Sequence, residues 1–430
     1  MTAEIAIMNK NYAALAADSA VSTSFNDSKR IYPSARKLFM LSSHQPIGIM
    51  VYGKADFMEI GWEKIIKLYC DRSTCVSFPT VREYADDFLR YLEAESRYYS
   101  DDQQENYFSQ TVFRFFASIR DKVWKAVDSG DGDRGFPDRE LSTVAESIIR
   151  ECADSVENAE PNPGFVHEIP EDVYIETLQK KYGSVAGDTF DILFEEIPVS
   201  RKMKKRAVNA SLMLFSRQYS VMPPSGIVFA GFGSDELFPA LCSYTVEGLL
   251  EGKLKYVHET STRVSVNRSA VIIPFARTET VFSFMEGIDP EYLRYIQAEL
   301  RGYCGLAAKK TASVIRDRYG VSDGTLEEAI QEILASDLED FLSDLSDWGH
   351  VHYTTPVLNM VDISPIDELA RMAELLVGLA SYKRDISSDQ ETVGGPVDVA
   401  VISKVDGFVW IRKKEYYDRE LNRHITGNSC

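Results

Sequence analysis

Met1-Thr2-Ala3-Glu4-Ile5-Ala6-Ile7-Met8, then Asn9-Lys10-Asn11, then Tyr12-Ala13-Ala14-Leu15-Ala16-Ala17-Asp18-Ser19-Ala20, is the stretch on which the reading of the chain turns. Two apolar runs flank a polar tripeptide, a pattern that predicts a β-hairpin beginning at the first residue. Termini fray unless they are tied down, so early entry into a sheet asks for a reason. Removal of Met1, which the small residue behind it permits, would leave Thr2 with a free α-amine beside its own hydroxyl. The reference pKa of such an amine, roughly 7.7 to 8.0, suits it to act as base for the hydroxyl as nucleophile. The plain alternative is that Thr2 simply begins a strand.

At 430 residues the chain exceeds the usual size of one core, so one large domain with insertions or two domains are expected. An apolar content of 44% with 26% charged residues is that of an ordinary globular protein. The formal net charge of -19 argues against a nucleic-acid-binding surface. Arg201-Lys202-Met203-Lys204-Lys205-Arg206 is the local exception and reads as the solvated end of a helix. No run approaches the roughly eighteen apolar residues of a membrane span, and no basic region precedes a long apolar stretch at the start, so a cytoplasmic protein without a membrane partner is expected. Cys70, Cys75, Cys152, Cys242, Cys304 and Cys430 contain no C-x-x-C pair. Neither zinc, nor a disulfide framework, nor a cofactor is signalled.

Outward from the opening stretch, Ser34 to Leu41 and Ile47 to Gly53 read as two more short strands joined at His44-Gln45-Pro46, a second hairpin. Lys54 to Tyr69 carries apolar groups at helical spacing, which predicts strand, Tyr-Gly turn, helix. Four strands beginning at a threonine, an aspartate closing the second, a lysine opening the third, and the Gly48-Ile49-Met50-Val51-Tyr52-Gly53-Lys54-Ala55-Asp56 turn together resemble the proteasome β-subunit and bacterial HslV family of N-terminal nucleophile hydrolases.

The resemblance implies an α+β fold, a four-layer αββα sandwich with helical insertions, and covers roughly residues 1–70, 222–287 and 364–415. The implied organisation is a first half of the core over 1–70, a helical region over 71–221, core strands over 222–287, a helical insertion over 288–363, and a C-terminal helix and hairpin over 364–430. It further implies a threonine-type peptidase in which Thr2 attacks a peptide carbonyl, Lys37 favours the alkoxide, and Asp18 holds Lys37. The backbone N–H of Tyr52, with Gly53, would meet the oxyanion. Val21, Met50 and Lys54 fall at positions that line the family's specificity pocket. A peptide or protein substrate, an ATPase unfoldase and self-association as a homo-oligomer are the implied partners. A catalytically silent scaffold subunit and a small-molecule amidohydrolase are the alternative functions.

Over 71–210 the pattern is helical, with Phe108, Phe113, Phe115, Phe116 and Trp124 read as a core stripe. The acidic run from Asp128 fails the calcium-loop spacing, because Arg139 stands where a glutamate is needed. Gly226 to Glu259 reads as a strand meander, and Gly231-Phe232-Gly233 as a strand turn rather than a phosphate cradle. Ser269 to Phe275 leads into a helix through Ala276-Arg277-Thr278, where the family carries a serine; Thr278 is the nearest hydroxyl. His350 and His352 flank Val351 on an expected strand, which would point both rings to one face. Ile366 to Tyr382, then Val397 to Ile402, the turn at Asp406-Gly407, and Phe408 to Ile411 predict a helix and a closing hairpin. Val393 stands where the family keeps a second serine, with Asp389, Gln390 and Thr392 nearby.

Overall fold

The computed structural model describes residues 3–25, 28–32, 35–42, 45–73, 77–128, 138–163, 170–276, 278–320, 325–387 and 396–415. In chain order the strands are β1 (Ala3–Asn9), β2 (Tyr12–Ala17), β3 (Val21–Phe25), β4 (Ser28–Tyr32), β5 (Leu38–Ser42), β6 (Gln45–Gly53), β7 (Asp56–Phe57), β8 (Ile60–Gly61), β9 (Ser225–Gly231), β10 (Ala240–Leu250), β11 (Lys253–Arg263), β12 (Ala270–Ala276), β13 (Asp398–Ser403) and β14 (Gly407–Arg412). The helices are α1 (Trp62–Ser73), α2 (Val81–Ala94), α3 (Asp101–Asp128), α4 (Asp138–Glu157), α5 (Glu171–Leu193), α6 (Arg201–Met213), α7 (Glu279–Glu286), α8 (Pro290–Tyr319), α9 (Leu326–Gly349), α10 (Thr355–Ile363) and α11 (Ile366–Ser387). The fold is thus mixed α and β with antiparallel sheets. It divides into two compact units, Met1–Leu38 with Arg263–Arg423, and Phe39–Thr262 with His424–Cys430. Among the described residues no helix is long and apolar enough to cross a membrane.

The first unit is built on a sheet ordered β12-β1-β2-β13-β14. The expected opening hairpin is present, and β1 is paired on both sides, with β12 and with β2. Asn9 explains the sharp reversal. Its side-chain oxygen accepts from the N–H groups of Asn11 and Tyr12, both at 3.0 Å, while its amide donates to the carbonyls of Val361 and Ser364. A buried asparagine of this kind supplies the turn that the backbone would otherwise make alone. Strand alternation sends Ile5, Ile7, Ala14, Ala16, Val399 and Val401 to one face, where they pack on Leu369, Ala373, Leu376 and Val377 of α11. Alanines on both partners let the helix axis approach the sheet. The opposite face carries a different row. Phe275, Glu4, Ala17 and Asp398 stand side by side on four neighbouring strands, because Glu4 faces Phe275 and Ala17, and Ala17 faces Asp398.

The second unit has a sheet ordered β11-β10-β9-β6-β5 and a core that draws on α1 through α6. The ring of Phe108 stacks on Tyr182 at 4.6 Å and on Phe215 at 5.2 Å. Phe115 and Phe116 are buried with it and Trp124 is half-buried, as the aromatic stripe predicted, whereas Phe113 is 49% exposed. The basic run opens α6 rather than floating free: Lys204 pairs with Asp191 at 2.5 Å, and Arg206 with Asp154 and Glu157.

Three local expectations are corrected. The helix expected from Lys54 begins only at Trp62, because Asp56–Phe57 and Ile60–Gly61 first pair across a two-residue turn in which Met58 and Glu59 adopt φ of 51° and 64°. A two-stranded ladder of β3 and β4, unforeseen in the sequence, fills part of the gap between the first two hairpins. His350 and His352 lie on a π-helical turn, not a strand. Two residues apart on a helix they point roughly half a turn from each other, and His352 instead stacks on Trp348 at 4.2 Å. The acidic loop after Asp128, Val393, and the polar candidates Asp389, Gln390 and Thr392 beside it lie outside the described residues.

Candidate active site

The site grows from the end of β2. Asp18, one residue past the strand, donates its backbone N–H to the carbonyl of Ala3 at 3.0 Å, which holds it beside the head of β1. Lys37, one residue before β5, reaches the same place. Its ammonium donates to Asp18 Oδ1 at 2.6 Å and to the Ala20 carbonyl at 2.7 Å. Both side chains are buried, Asp18 at 1% and Lys37 at 5% exposure. A buried ion pair offsets its desolvation only with good geometry and further hydrogen bonds, and the Ala20 carbonyl provides one. Ser19, between them, donates its hydroxyl to the Pro396 carbonyl at 2.6 Å and ties the segment to the approach of β13.

Three more ionisable groups share this neighbourhood. Glu4 is 2% exposed, and among the described residues neither of its carboxylate oxygens meets a hydrogen-bond donor. Burial pushes its carboxyl up from 4.5 to about 8; the charge of Lys37 draws it down and that of Asp18 pushes it further up. Asp398, in the same cross-strand row, accepts the Lys414 backbone N–H at 2.6 Å. Burial raises its carboxyl, while that bond and the charge of Lys414 lower it. The Lys414 ammonium, on a half-buried residue, has no hydrogen-bond partner among the described residues, and burial lowers its pKa, with Asp398 raising it and Lys37 lowering it. Lys37 is therefore felt by both Glu4 and Lys414. Glu4, Asp398 and Lys414 were missed in the sequence. A lone carboxylate inside Ala3-Glu4-Ile5-Ala6-Ile7-Met8 was the available signal, since a charge in an otherwise apolar strand must be explained.

The remaining predicted residues are distributed as follows. Thr2 lies outside the described residues, next to Ala3. Val21 starts β3 opposite Tyr32, its side chain outside the described set. Met50, Tyr52, Gly53 and Lys54 belong to the second unit, at the end of β6. Met50 is buried opposite Val228 and Lys54 is half-buried. The Tyr52 ring lies across its cross-strand partner Gly226, where a Cβ would fall 2.0 Å from it. Gly53 has φ of +83°, and a Cβ there would meet the Pro224 carbonyl oxygen at 2.4 Å. That glycine is required by the backbone alone. At the far end of β12, Ala276 faces Ala3 with φ of 64°, a left-handed conformation that side chains disfavour. Thr278 caps α7 by position without a side-chain capping bond. Among the described residues no group of three or more His, Cys, Asp or Glu side chains is placed to hold a metal.

No protein-family model matches the chain, and no curated protein matches it. Among solved structures it is similar to a Gly-1 mutant of Anbu from Hyphomicrobium sp. strain MC1, at 9% identity over 99% of this chain and 94% of that one, with a TM-score of 0.26. Anbu (ancestral beta-subunit) from Yersinia bercovieri gives the same identity and coverage with a TM-score of 0.27. A further Anbu structure from Hyphomicrobium sp. strain MC1 gives 0.28, again at 9% identity. The resemblance to proteasome β-subunits and HslV is thereby corrected. The matched structures are Anbu, a related but distinct family, and no sequence-family match ties the chain to HslV. At such identities and TM-scores the likeness carries no argument about chemistry, and the site stands on its own geometry.

Proposed function

We propose that the chain is an amide hydrolase whose nucleophile is the Thr2 hydroxyl, with an α-amine freed by removal of Met1 as its base. The observation that carries this reading is the buried Lys37–Asp18 pair at 2.6 Å, held through Asp18 N–H on the carbonyl of Ala3, one residue from Thr2. A lysine ammonium so placed favours the alkoxide form of a neighbouring hydroxyl, and its positive charge keeps a nearby amine neutral. The threonine oxygen bonds the amide carbon, its proton passes through the α-amine to the departing amine as the C–N bond breaks, and water then cleaves the acyl ester, restoring the hydroxyl and releasing the acid. Peptide or protein amides are the proposed substrates. A homo-oligomer, an ATPase unfoldase partner and the αββα sandwich belong to the same proposal.

A silent scaffold is the second reading, and Glu4 favours it only above about pH 8, where its ionised carboxylate, two residues from Thr2, stabilises an α-ammonium and removes the base. Turnover of a panel of fluorogenic peptide amides by protein lacking Met1 decides between the two. The hydrolase reading predicts release of the fluorophore that Thr2→Ala abolishes and Lys37→Met lowers by about two orders of magnitude or more, the scale on which a positioned catalytic group acts. Turnover that survives Thr2→Ala would sink the assignment.

A further inference from the structure

Between α7, α8, α9 and the π-helical turn of the first unit lies a cavity of about 360 Å³, within the size range of small-molecule sites. No described group of the candidate active site lines it. Leu293 of α8 and Leu342 and Leu345 of α9 give it an apolar wall, and the rings of Trp348 and Tyr353 line it as well. The turn places those rings. Five residues apart on a regular α-helix, the two side chains would diverge by about 140°. Over His350–Thr354 the backbone instead bonds across five residues, Thr355 N–H to the His350 carbonyl, and the widened turn brings both rings to one cavity, 5.9 Å apart and inclined at 65°. Turns of this kind recur at functional sites. Contacts on either side hold this one in place. Thr354 donates its hydroxyl to the Met285 carbonyl at 3.0 Å, and the Tyr353 ring lies on Gly287, where a Cβ would fall 2.8 Å from it. The stack of His352 on Trp348 fixes the second ring.

Electrostatics select the occupant. Glu286 brings a carboxylate to the cavity, and among the described residues neither lysine nor arginine lines it. Lys383 is paired with Asp289 at 2.9 Å instead. Glu286 and Gly287 are also the last residue and the C-cap of α7, so the negative end of that helix falls at the same place. Aromatic faces add to this, since they attract a cation held within about 6 Å of a ring centre. An anion would meet a carboxylate and a helix C-terminus with no counter-charge, and a neutral apolar molecule would gain the leucine wall alone. A bare ammonium would give up its water to apolar walls. We propose that this cavity binds a small organic cation, an ammonium ion whose nitrogen carries alkyl groups, with the alkylated nitrogen against Trp348 and Tyr353 and Glu286 as its counter-charge. The alkyl groups meet the leucines, and the amide of Gln297, on the same wall, suits a polar substituent. Such binding needs no part of the proposed catalytic chemistry.

Isothermal titration of choline into the full chain, at constant ionic strength, tests this against the neutral isostere in which a tert-butyl group replaces the trimethylammonium. Choline is expected to bind about tenfold or more tighter than the isostere, the scale of a partly desolvated cation–π contact. Trp348→Leu keeps an apolar wall and removes the larger ring. It is expected to weaken choline by about tenfold while leaving the isostere nearly unchanged. Glu286→Gln is expected to weaken choline severalfold and spare the isostere. Should a ring variant misfold, Ser346→Lys, at an exposed position on the wall, keeps both rings and is expected to abolish choline binding. A wild type that does not bind choline, equal affinity for the isostere, or undiminished choline binding by variants with an unchanged thermal transition would overturn the proposal.

Discussion

Glu4 is the residue whose behaviour separates a site from a well-packed strand. Its carboxyl titrates near 8 in the folded chain against an ordinary value of 4.5. Between those values the folded state holds a proton that the unfolded state has released. The associated stability is therefore fully present below about 4.5 and is lost as pH rises through about 8, at roughly 1.4 kcal/mol per pH unit. Glu4→Gln removes this slope. Urea midpoints measured from pH 5 to 8.5 are expected to fall away for the wild type relative to the variant, and parallel curves would show that Glu4 is ionised throughout. The Asp18–Lys37 pair makes a second test at this scale. Lys37→Met strands a buried carboxylate and is expected to destabilise by about 3 to 5 kcal/mol, while Asp18→Asn with Lys37→Met recovers most of that loss without recovering turnover. Asp18 and Lys37 entered the sequence reading through the family resemblance, which an aspartate closing the second strand and a lysine opening the third helped to carry. Asp398 and Lys414 were not legible there, since Asp398 enters the cross-strand row of Glu4 only through the pairing of β13 with β2 from the far end of the chain.

At the scale of elements, periodicity found the hairpins and most helices but misplaced what backbone geometry alone decides. Met58 and Glu59 occupy a turn that favours Asn-Gly, so a periodicity argument carries the helix straight through it. The turn is held from outside: Gln103 donates its side-chain amide to the Met58 carbonyl at 2.7 Å, and the Met58 side chain is buried. Glu59 is exposed and contributes only its strained φ of 64°. Glu59→Gly is expected to raise stability by about 1 kcal/mol, read as a higher denaturation midpoint, because the left-handed conformation that penalises a side chain suits glycine. The opposite result follows at Gly53→Ala, where φ of +83° and the Pro224 carbonyl leave no room for a Cβ. Loss of stability there without a specific loss of turnover would mean that the glycine serves the turn and not the chemistry.

At the scale of the molecule, the first unit is closed by parts of the chain made last. Its sheet sets β1 between β12 and β2, and β2 between β1 and β13, so residues 3–17 find their partners only once residues 270–276 and 398–403 exist. Pairing of such sequence separation is slow to form, and once formed it protects the strand on both sides. In native-state hydrogen exchange the amides of Ile5 to Met8 are expected among the slowest of the first unit, and rapid exchange there would contradict the pairing. A strand so protected keeps Ala3 in one place.

The central claim is that this fixed position serves a nucleophile. Protein produced in its native host, treated with a threonine-directed electrophile and mapped by mass spectrometry, tests it most directly. The account predicts an intact mass lacking Met1 and a single adduct on Thr2, with labelling lost in Lys37→Met. Retained Met1, or an adduct that persists in Thr2→Ala, would contradict it.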